Sequence, residues 1–103
     1  MQKGGLVYIV CSPNRNVLYT GVTSDLATRI WKHKHKFYEN SFTARYNCVM
    51  LVWYKYFDHI EEAIAVEKRI KAGNRAKKEA LINDFNHEWK DLYDQIKDIR
   101  IFD

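Results

Sequence analysis

Apolar and polar positions change rhythm several times along the chain. Leu6–Ser12 and Val17–Thr23 are short runs rich in β-branched and aromatic residues, which predicts two strands. Pro13-Asn14-Arg15-Asn16 between them is strong turn chemistry, so the strands are expected to pair as an antiparallel hairpin. Ser24 then offers an N-cap with Asp25 at the first helical position, and Leu26, Ile30, His33 and Phe37 follow at helical spacing. From Tyr38 to Asn47 the pattern breaks into a polar loop. Val49–Phe57, rich in Val, Trp, Tyr and Phe, predicts a third strand. Asp58, with Glu61 three residues later, resembles a capping box for a helix running to about Lys71. Gly73 ends that helix, Asn74 caps another over about 75–85, and Asn86 caps a last one over about 88–99. The order β-β-α-β-α-α-α predicts an α+β fold: a three-stranded, mainly antiparallel sheet flanked by helices.

The hairpin makes a finer prediction. A four-residue loop over 13–16 pairs Ser12 with Val17, Val10 with Tyr19 and Tyr8 with Gly21. Tyr8, Val10, Tyr19 and Gly21 then share one face, and Val7, Ile9, Cys11, Leu18, Thr20 and Val22 form a core face on the other. Gly21 opposite Tyr8 leaves room beside the phenol or lets another backbone approach. Strand tyrosines that merely cover a half-buried surface fit the same pattern.

On the first helix Arg29 and His33 lie four apart, on adjacent turns of one face. Arginine presents a fork of donors matched to phosphate oxygens, and imidazole can hydrogen-bond or relay a proton. Lys34, His35 and Lys36 follow, so a solvated basic patch is the alternative for His33. Glu67 falls in the middle of a stripe made by Ile60, Ala63, Ile64, Val66 and Ile70. A carboxylate there demands a partner. Arg29 in a structural ion pair is one; a hard divalent cation of the Mg²⁺ kind, completed by water and phosphate oxygens, is the other.

Charge sharpens the picture. Residues 1–83 carry 14 Lys/Arg against 7 Asp/Glu, and residues 84–103 carry 3 against 6, so a basic body precedes an acidic tail. Such a body suits a polyanionic partner. Lys32 on the first helix and Lys68, Lys71, Arg75, Lys77 and Lys78 around the next helix junction are the candidate phosphate-backbone contacts, or a solvated face. Trp31, Trp53 and Trp89 sit in apolar segments and are expected in the core. Cys11 and Cys48 lack metal-ligand spacing and read as buried small hydrophobes. With 103 residues, 29% charged, one domain spanning 1–103 is expected, soluble and cytoplasmic, with no secretory leader and no membrane-spanning run.

Taken together, these residues resemble the GIY-YIG nuclease family, most nearly its small single-domain bacterial members. Tyr8 in Val-Tyr-Ile and Tyr19 in Tyr-Thr-Gly look like the two signature halves, and Arg29, His33 and Glu67 match the remaining signature positions. Phe-Thr-Ala-Arg-Tyr-Asn (42–47), Glu-Lys-Arg-Ile-Lys (67–71) and Trp-Lys-Asp-Leu-Tyr (89–93) extend the likeness over about residues 4–93. The resemblance implies a metal-dependent endonuclease hydrolysing DNA, branched or damaged forms included, in repair or recombination. Carried over, Tyr8 orients or deprotonates the attacking water with Tyr19 beside it, Arg29 stabilises the phosphate and Glu67 holds one Mg²⁺ or Mn²⁺. A tyrosine near its ordinary pKa of about 10 is a poor base at neutral pH, so nearby cations or metal-bound water are expected to depress it. Departures from the family pattern are Thr20, Lys55, Val66 and His87; Val66 removes one phosphate contact. The rival reading keeps the fold as a non-cleaving nucleic-acid-binding module with an Arg29–Glu67 ion pair. A weaker third is an adaptor using the acidic residues 94–103.

Overall fold

Four polar residues turn the chain, and the hairpin register follows from them. The Ser12 amide donates to the Val17 carbonyl at 3.1 Å. The Asn14 side chain accepts from Ser12 Oγ at 2.7 Å and from the Asn16 amide at 3.0 Å. Arg15 takes a left-handed φ of 65° to complete the turn. The strands then pair Tyr8 with Gly21, Val10 with Tyr19 and Cys11 with Leu18, the register expected from the loop length.

The computed structural model describes residues 4–98. Its elements are β1 (Gly5–Cys11), β2 (Leu18–Thr23), α1 (Leu26–Lys34), α2 (Phe42–Arg45), β3 (Met50–Phe57), α3 (Ile60–Ala72), α4 (Arg75–Phe85) and α5 (Tyr93–Ile96). The sheet is antiparallel throughout, in the order β2-β1-β3. This is the α+β architecture the pattern predicts. Because β1 is central and both its faces are covered, all seven of its residues are buried.

Two cores result, not one. Leu6, Tyr8 and Val10 pack with Leu26 and Ile30 of α1 and Ile96 of α5. Val7, Ile9 and Cys11 pack with Ala63 of α3 and Ile82 of α4. The expectation of a single core face opposite the tyrosines is therefore too narrow: Tyr8 itself is fully buried. A bulge in β3 opposite Ile9 and Val10 turns consecutive Val52 and Trp53 toward the same cluster.

Gly21 is where the register becomes steric. An ideal Cβ at Gly21 would lie 2.4 Å from both Cζ and Oη of Tyr8. The phenol occupies the space a side chain would need. Gly21→Ala is expected to destabilise the fold by about 1–3 kcal/mol, because a buried ring must move in a packed core. Urea denaturation would show it; unchanged stability would mean that Tyr8 has room elsewhere.

Several helix ends differ from expectation. Asp25, not Ser24, caps α1: its carboxylate accepts from the Thr28 amide at 3.3 Å, and Thr23 Oγ1 holds the Asp25 amide at 3.1 Å. The Asp58 capping box does not form; His59 is the N-cap of α3 and makes no side-chain cap bond. Asn74 caps α4 as predicted, accepting from the Lys77 amide at 2.9 Å. The last helix is four residues long. Asn86 instead pins a turn, donating to the Val52 and Lys90 carbonyls and accepting from the Lys90 amide, while Trp89 takes a φ of 56°. Asp91 and Leu92 then bond to Leu51 of β3, so this segment lies along the strand instead of coiling. Residue 99 of the expected helix, with residues 100–103 of the acidic segment, lies outside the described residues, and residues 94–98 of that segment fall in α5 and the turn after it.

Trp53 and Trp89 are in the core, but Trp31 is 43% exposed and stacks on His35 with ring centroids 4.0 Å apart. Cys11 and Cys48 are buried and free. Among the described residues no helix is long and apolar enough to cross a membrane.

Candidate active site

On α1 the buried residues are Leu26, Ile30 and His33, a stripe at helical spacing that lays the imidazole on β1. There His33 Nε2 meets Tyr8 Oη at 2.8 Å. One turn earlier, Arg29 Nε donates to the same oxygen at 3.3 Å. The other imidazole nitrogen, Nδ1, meets Thr43 Oγ1 at 2.9 Å. Tyr19 closes the group, its ring centroid 6.0 Å from that of His33. Three elements thus bring Tyr8, Tyr19, Arg29 and His33 together.

Beside them opens a pocket of about 70 Å³. Arg29, Lys32 and Lys36 contribute three cations to its wall, and among the described residues no carboxylate lines it. The remaining lining includes Tyr19, Tyr38 and Thr43. Arg29 is half-buried there, its guanidinium 5.8 Å from the Tyr38 ring centroid. Only its Nε is engaged by a hydrogen bond among the described residues, so the terminal nitrogens of this pocket-lining residue carry none there. The site is built for an anion.

Burial dominates the electrostatics of the cluster. Burial pushes the Tyr8 phenol up to about 12, against the opposing pull of Arg29. The expected depression of this phenol is therefore not what the protein does by itself. His33 is driven down to about 4, first by burial and then by the Arg29 charge, so the ring is neutral at pH 7. The hydrogen bond to Tyr8 raises Arg29 further above its ordinary value.

The His33 shift has a consequence for stability. Its ordinary value is 6.5, so between about 4 and 6.5 the unfolded chain binds a proton that the folded one refuses. Stability is expected to fall as pH is lowered through that window. Urea midpoints at pH 7 and pH 5 would measure it, with His33→Gln flattening the dependence. The same slope in both proteins would assign it to another group.

Glu67 stands on the helix that packs the opposite core and makes no hydrogen bond to the cluster among the described residues. It lies on α3 and is 8% exposed, as its place in the apolar stripe predicts. Its partner is Lys71, one turn on, with Nζ 2.7 Å from Oε2. The Lys71 ammonium also lies 5.5 Å from the Tyr19 ring centroid, which ties α3 to β2. The Glu67 hydrogen bond raises Lys71 above its ordinary value. Among the described residues Arg29 and Glu67 form no ion pair, so the carboxylate is neutralised by a neighbour that the charge pattern assigns to a phosphate-binding surface. A single carboxylate suits a cation of the Mg²⁺ kind only with water and phosphate oxygens completing the shell. No group of three or more His, Cys, Asp or Glu is gathered among the described residues.

The other basic candidates separate. Lys32 lines the pocket, its ammonium 5.1 Å from the Phe37 ring centroid. Arg75 is committed to the fold: it pairs with Glu79 at 2.7 Å and donates to the carbonyls of Arg15 and Asn16 in the hairpin turn. Lys68 and Lys77 are exposed on α3 and α4, and Lys78 is half-buried. Lys36, Tyr38, Ser41, Phe42 and Thr43 are the site residues that sequence reasoning misses. All but Lys36 fall in the stretch read as a polar loop, which contains α2; the local signals there are the 42–47 motif and Ser41, whose Oγ caps the helix by accepting from the Ala44 amide at 3.2 Å.

Comparison with known proteins gives the family and the fold. The family model for the GIY-YIG catalytic domain matches residues 4–80. The solution NMR structure of a UPF0213 protein from Bacillus halodurans superposes with a TM-score of 0.54 at 29% identity, covering 91% of this chain and 95% of that one. A search of curated proteins returned no match. The matched region takes in both tyrosines, Arg29, His33 and Glu67, so the chain belongs to the GIY-YIG family of nuclease-type catalytic domains.

Proposed function

We propose that this protein is a divalent-metal-dependent endonuclease that hydrolyses DNA phosphodiester bonds at the pocket lined by Arg29 and His33, with the buried Tyr8 bonded to both. The observation that carries the reading is the hydrogen-bonded chain from Arg29 through Tyr8 to a neutral imidazole, set against a pocket lined by three cations. Arg29's terminal nitrogens would take two oxygens of the scissile phosphate. Lys32 and Lys36 would add backbone attraction without reading sequence.

In the resting geometry Tyr8 offers no surface to solvent, and Arg29 lies against its hydroxyl. Turning Arg29 toward a phosphate would uncover that hydroxyl to water. The same move would relieve the second cause of the low His33 pKa, because the phosphate neutralises the guanidinium. Substrate binding therefore strengthens the base. The attacking water gives its proton to Tyr8 as Tyr8 gives its own to His33 Nε2, so no free phenolate is needed. Tyr19, half-buried at the pocket wall, would orient that water. Glu67 would hold the metal, which when bound supplies Lewis-acid stabilisation of the leaving oxygen.

The test is cleavage of labelled branched, nicked and duplex DNA in Mg²⁺ or Mn²⁺ and in EDTA, beside Arg29→Ala. Cleavage that survives both EDTA and the substitution would point to a contaminant and remove the assignment. One observation favours the non-cleaving module instead: Lys71 already neutralises Glu67. That reading predicts salt-sensitive DNA binding with no metal requirement.

A further inference from the structure

We propose that Thr43 is a positioning residue for this site: its hydroxyl fixes His33 in the tautomer whose Nε2 is free to receive the Tyr8 proton. The catalytic consequence rests on the nuclease reading above; the tautomer rests on hydrogen-bond geometry alone.

The direction of every bond in the chain follows from its first member. Arginine has no acceptor, so Arg29 Nε must donate and Tyr8 Oη must accept, at 3.3 Å. Tyr8 then has one proton to give, and His33 Nε2 lies 2.8 Å away. Tyr8 is fully buried and its hydroxyl has no other hydrogen-bond partner among the described residues, so the phenol donates to His33 and Nε2 is the bare nitrogen. A neutral imidazole carries one proton, which must sit on Nδ1, 2.9 Å from Thr43 Oγ1. Thr43 accepts it and turns its own proton to Ser41 Oγ at 3.3 Å, an oxygen that already accepts from the Ala44 amide. Five groups share one consistent orientation.

Thr43 is held where this requires. It is 4% exposed in the first turn of α2, and its carbonyl accepts from the Cys48 amide at 2.8 Å. Its chemistry also matters. A carboxylate at this place would fix the same tautomer but stabilise the imidazolium. A hydroxyl fixes the tautomer while leaving the ring free to pass its proton on. In the step itself, water loses a proton to Tyr8 Oη and Tyr8 loses one to Nε2. The resulting hydroxide bonds to phosphorus as the ester P–O bond breaks, the leaving oxygen takes a proton from solvent to become the alcohol, and the imidazolium keeps both N–H groups until solvent removes one. Through that moment Nδ1–H still needs its acceptor.

The experiment compares wild type, Thr43→Val and Thr43→Ser by ¹⁵N-histidine NMR and by cleavage kinetics. Wild type and Thr43→Ser are expected to show His33 protonated on Nδ1 alone. Thr43→Val, close in shape but without the hydroxyl, is expected to show a mixture of tautomers. Its kcat should fall about ten- to a hundredfold with KM nearly unchanged. A wild-type ring protonated on Nε2 would overturn the proposal, as would a Thr43→Val variant with unaltered tautomer and kcat. If Thr43→Val does not fold, the wild-type and Thr43→Ser spectra still decide it. Absence of cleavage by wild type would remove the nuclease reading and leave the spectra to judge Thr43.

Discussion

Arg29→Ala is expected to lower the single-turnover cleavage rate by about 10²- to 10³-fold, the scale of losing one preorganised donor to developing negative charge. Arg29 has two tasks in turn. At rest its Nε is bonded to Tyr8, and with substrate bound its guanidinium would clamp the phosphate in a pocket whose other cations, Lys32 and Lys36, are flexible point charges. Arg29→Lys is therefore expected to recover little, since an ammonium is a single point charge that cannot take two phosphate oxygens with one planar fork. Folding should change far less than rate, because the side chain is only half-buried and belongs to no ion pair among the described residues.

A second readout separates this role from a structural one. The Arg29 charge is the smaller of the two causes that hold His33 down at about 4. Its removal should move the His33 titration upward, yet leave it below 6.5, because burial remains. NMR titration of the ring in Arg29→Ala measures that directly. A cleavage rate within threefold of wild type, or a His33 titration that does not move, would show that the guanidinium does not govern this cluster.

The features legible in the amino-acid sequence are local or periodic. Turn chemistry at 13–16 and strict strand alternation set the register, so Tyr8 opposite Gly21 follows from residue pattern alone and carries its steric meaning in the fold. Glu67 is legible for a different reason: a carboxylate inside an apolar stripe is conspicuous wherever its helix packs. Its partner is not. A lysine four residues on is within reach on any helix, so spacing alone does not say whether it turns to Glu67 or to solvent.

The parts that pattern does not reach are those set by tertiary contacts. α2 has four residues, too few to show a period, and its value lies in pointing Thr43 at a ring from another helix. The expected last helix yields to bonds that Asn86, Asp91 and Leu92 make with β3. Those bonds satisfy backbone on a sheet edge, an outcome that helical propensity cannot anticipate. Trp31 is similar: on α1 the buried stripe is filled by Leu26, Ile30 and His33, which leaves the indole outside. A histidine takes the core position because its partner is a phenol on β1.

Glu67 and Lys71 are expected to move metal dependence in opposite directions. Glu67→Gln keeps the shape of the side chain but removes the charge, and should reduce cleavage about a hundredfold or more, as loss of a Lewis acid contributing several kcal/mol requires. It should also abolish any rise in melting temperature on adding Mn²⁺. Lys71→Met retains much of the stem but removes the ammonium, which lies 2.7 Å from Oε2 and 5.5 Å from the Tyr19 ring centroid. A cation binding Glu67 must displace that ammonium, so Lys71→Met should reach half-maximal stabilisation at a lower Mn²⁺ concentration. The variant should be slightly less stable in EDTA, because its buried carboxylate then lacks its partner. In the non-cleaving reading Lys71 is the permanent partner of Glu67, and neither substitution changes the response to Mn²⁺. Thermal unfolding of the three proteins across a Mn²⁺ series, with Ca²⁺ as a second hard cation, therefore separates a metal ligand from an ion pair without reference to DNA. Equal midpoints in wild type and Lys71→Met, with no Mn²⁺ effect in either, would take Glu67 out of the metal chemistry.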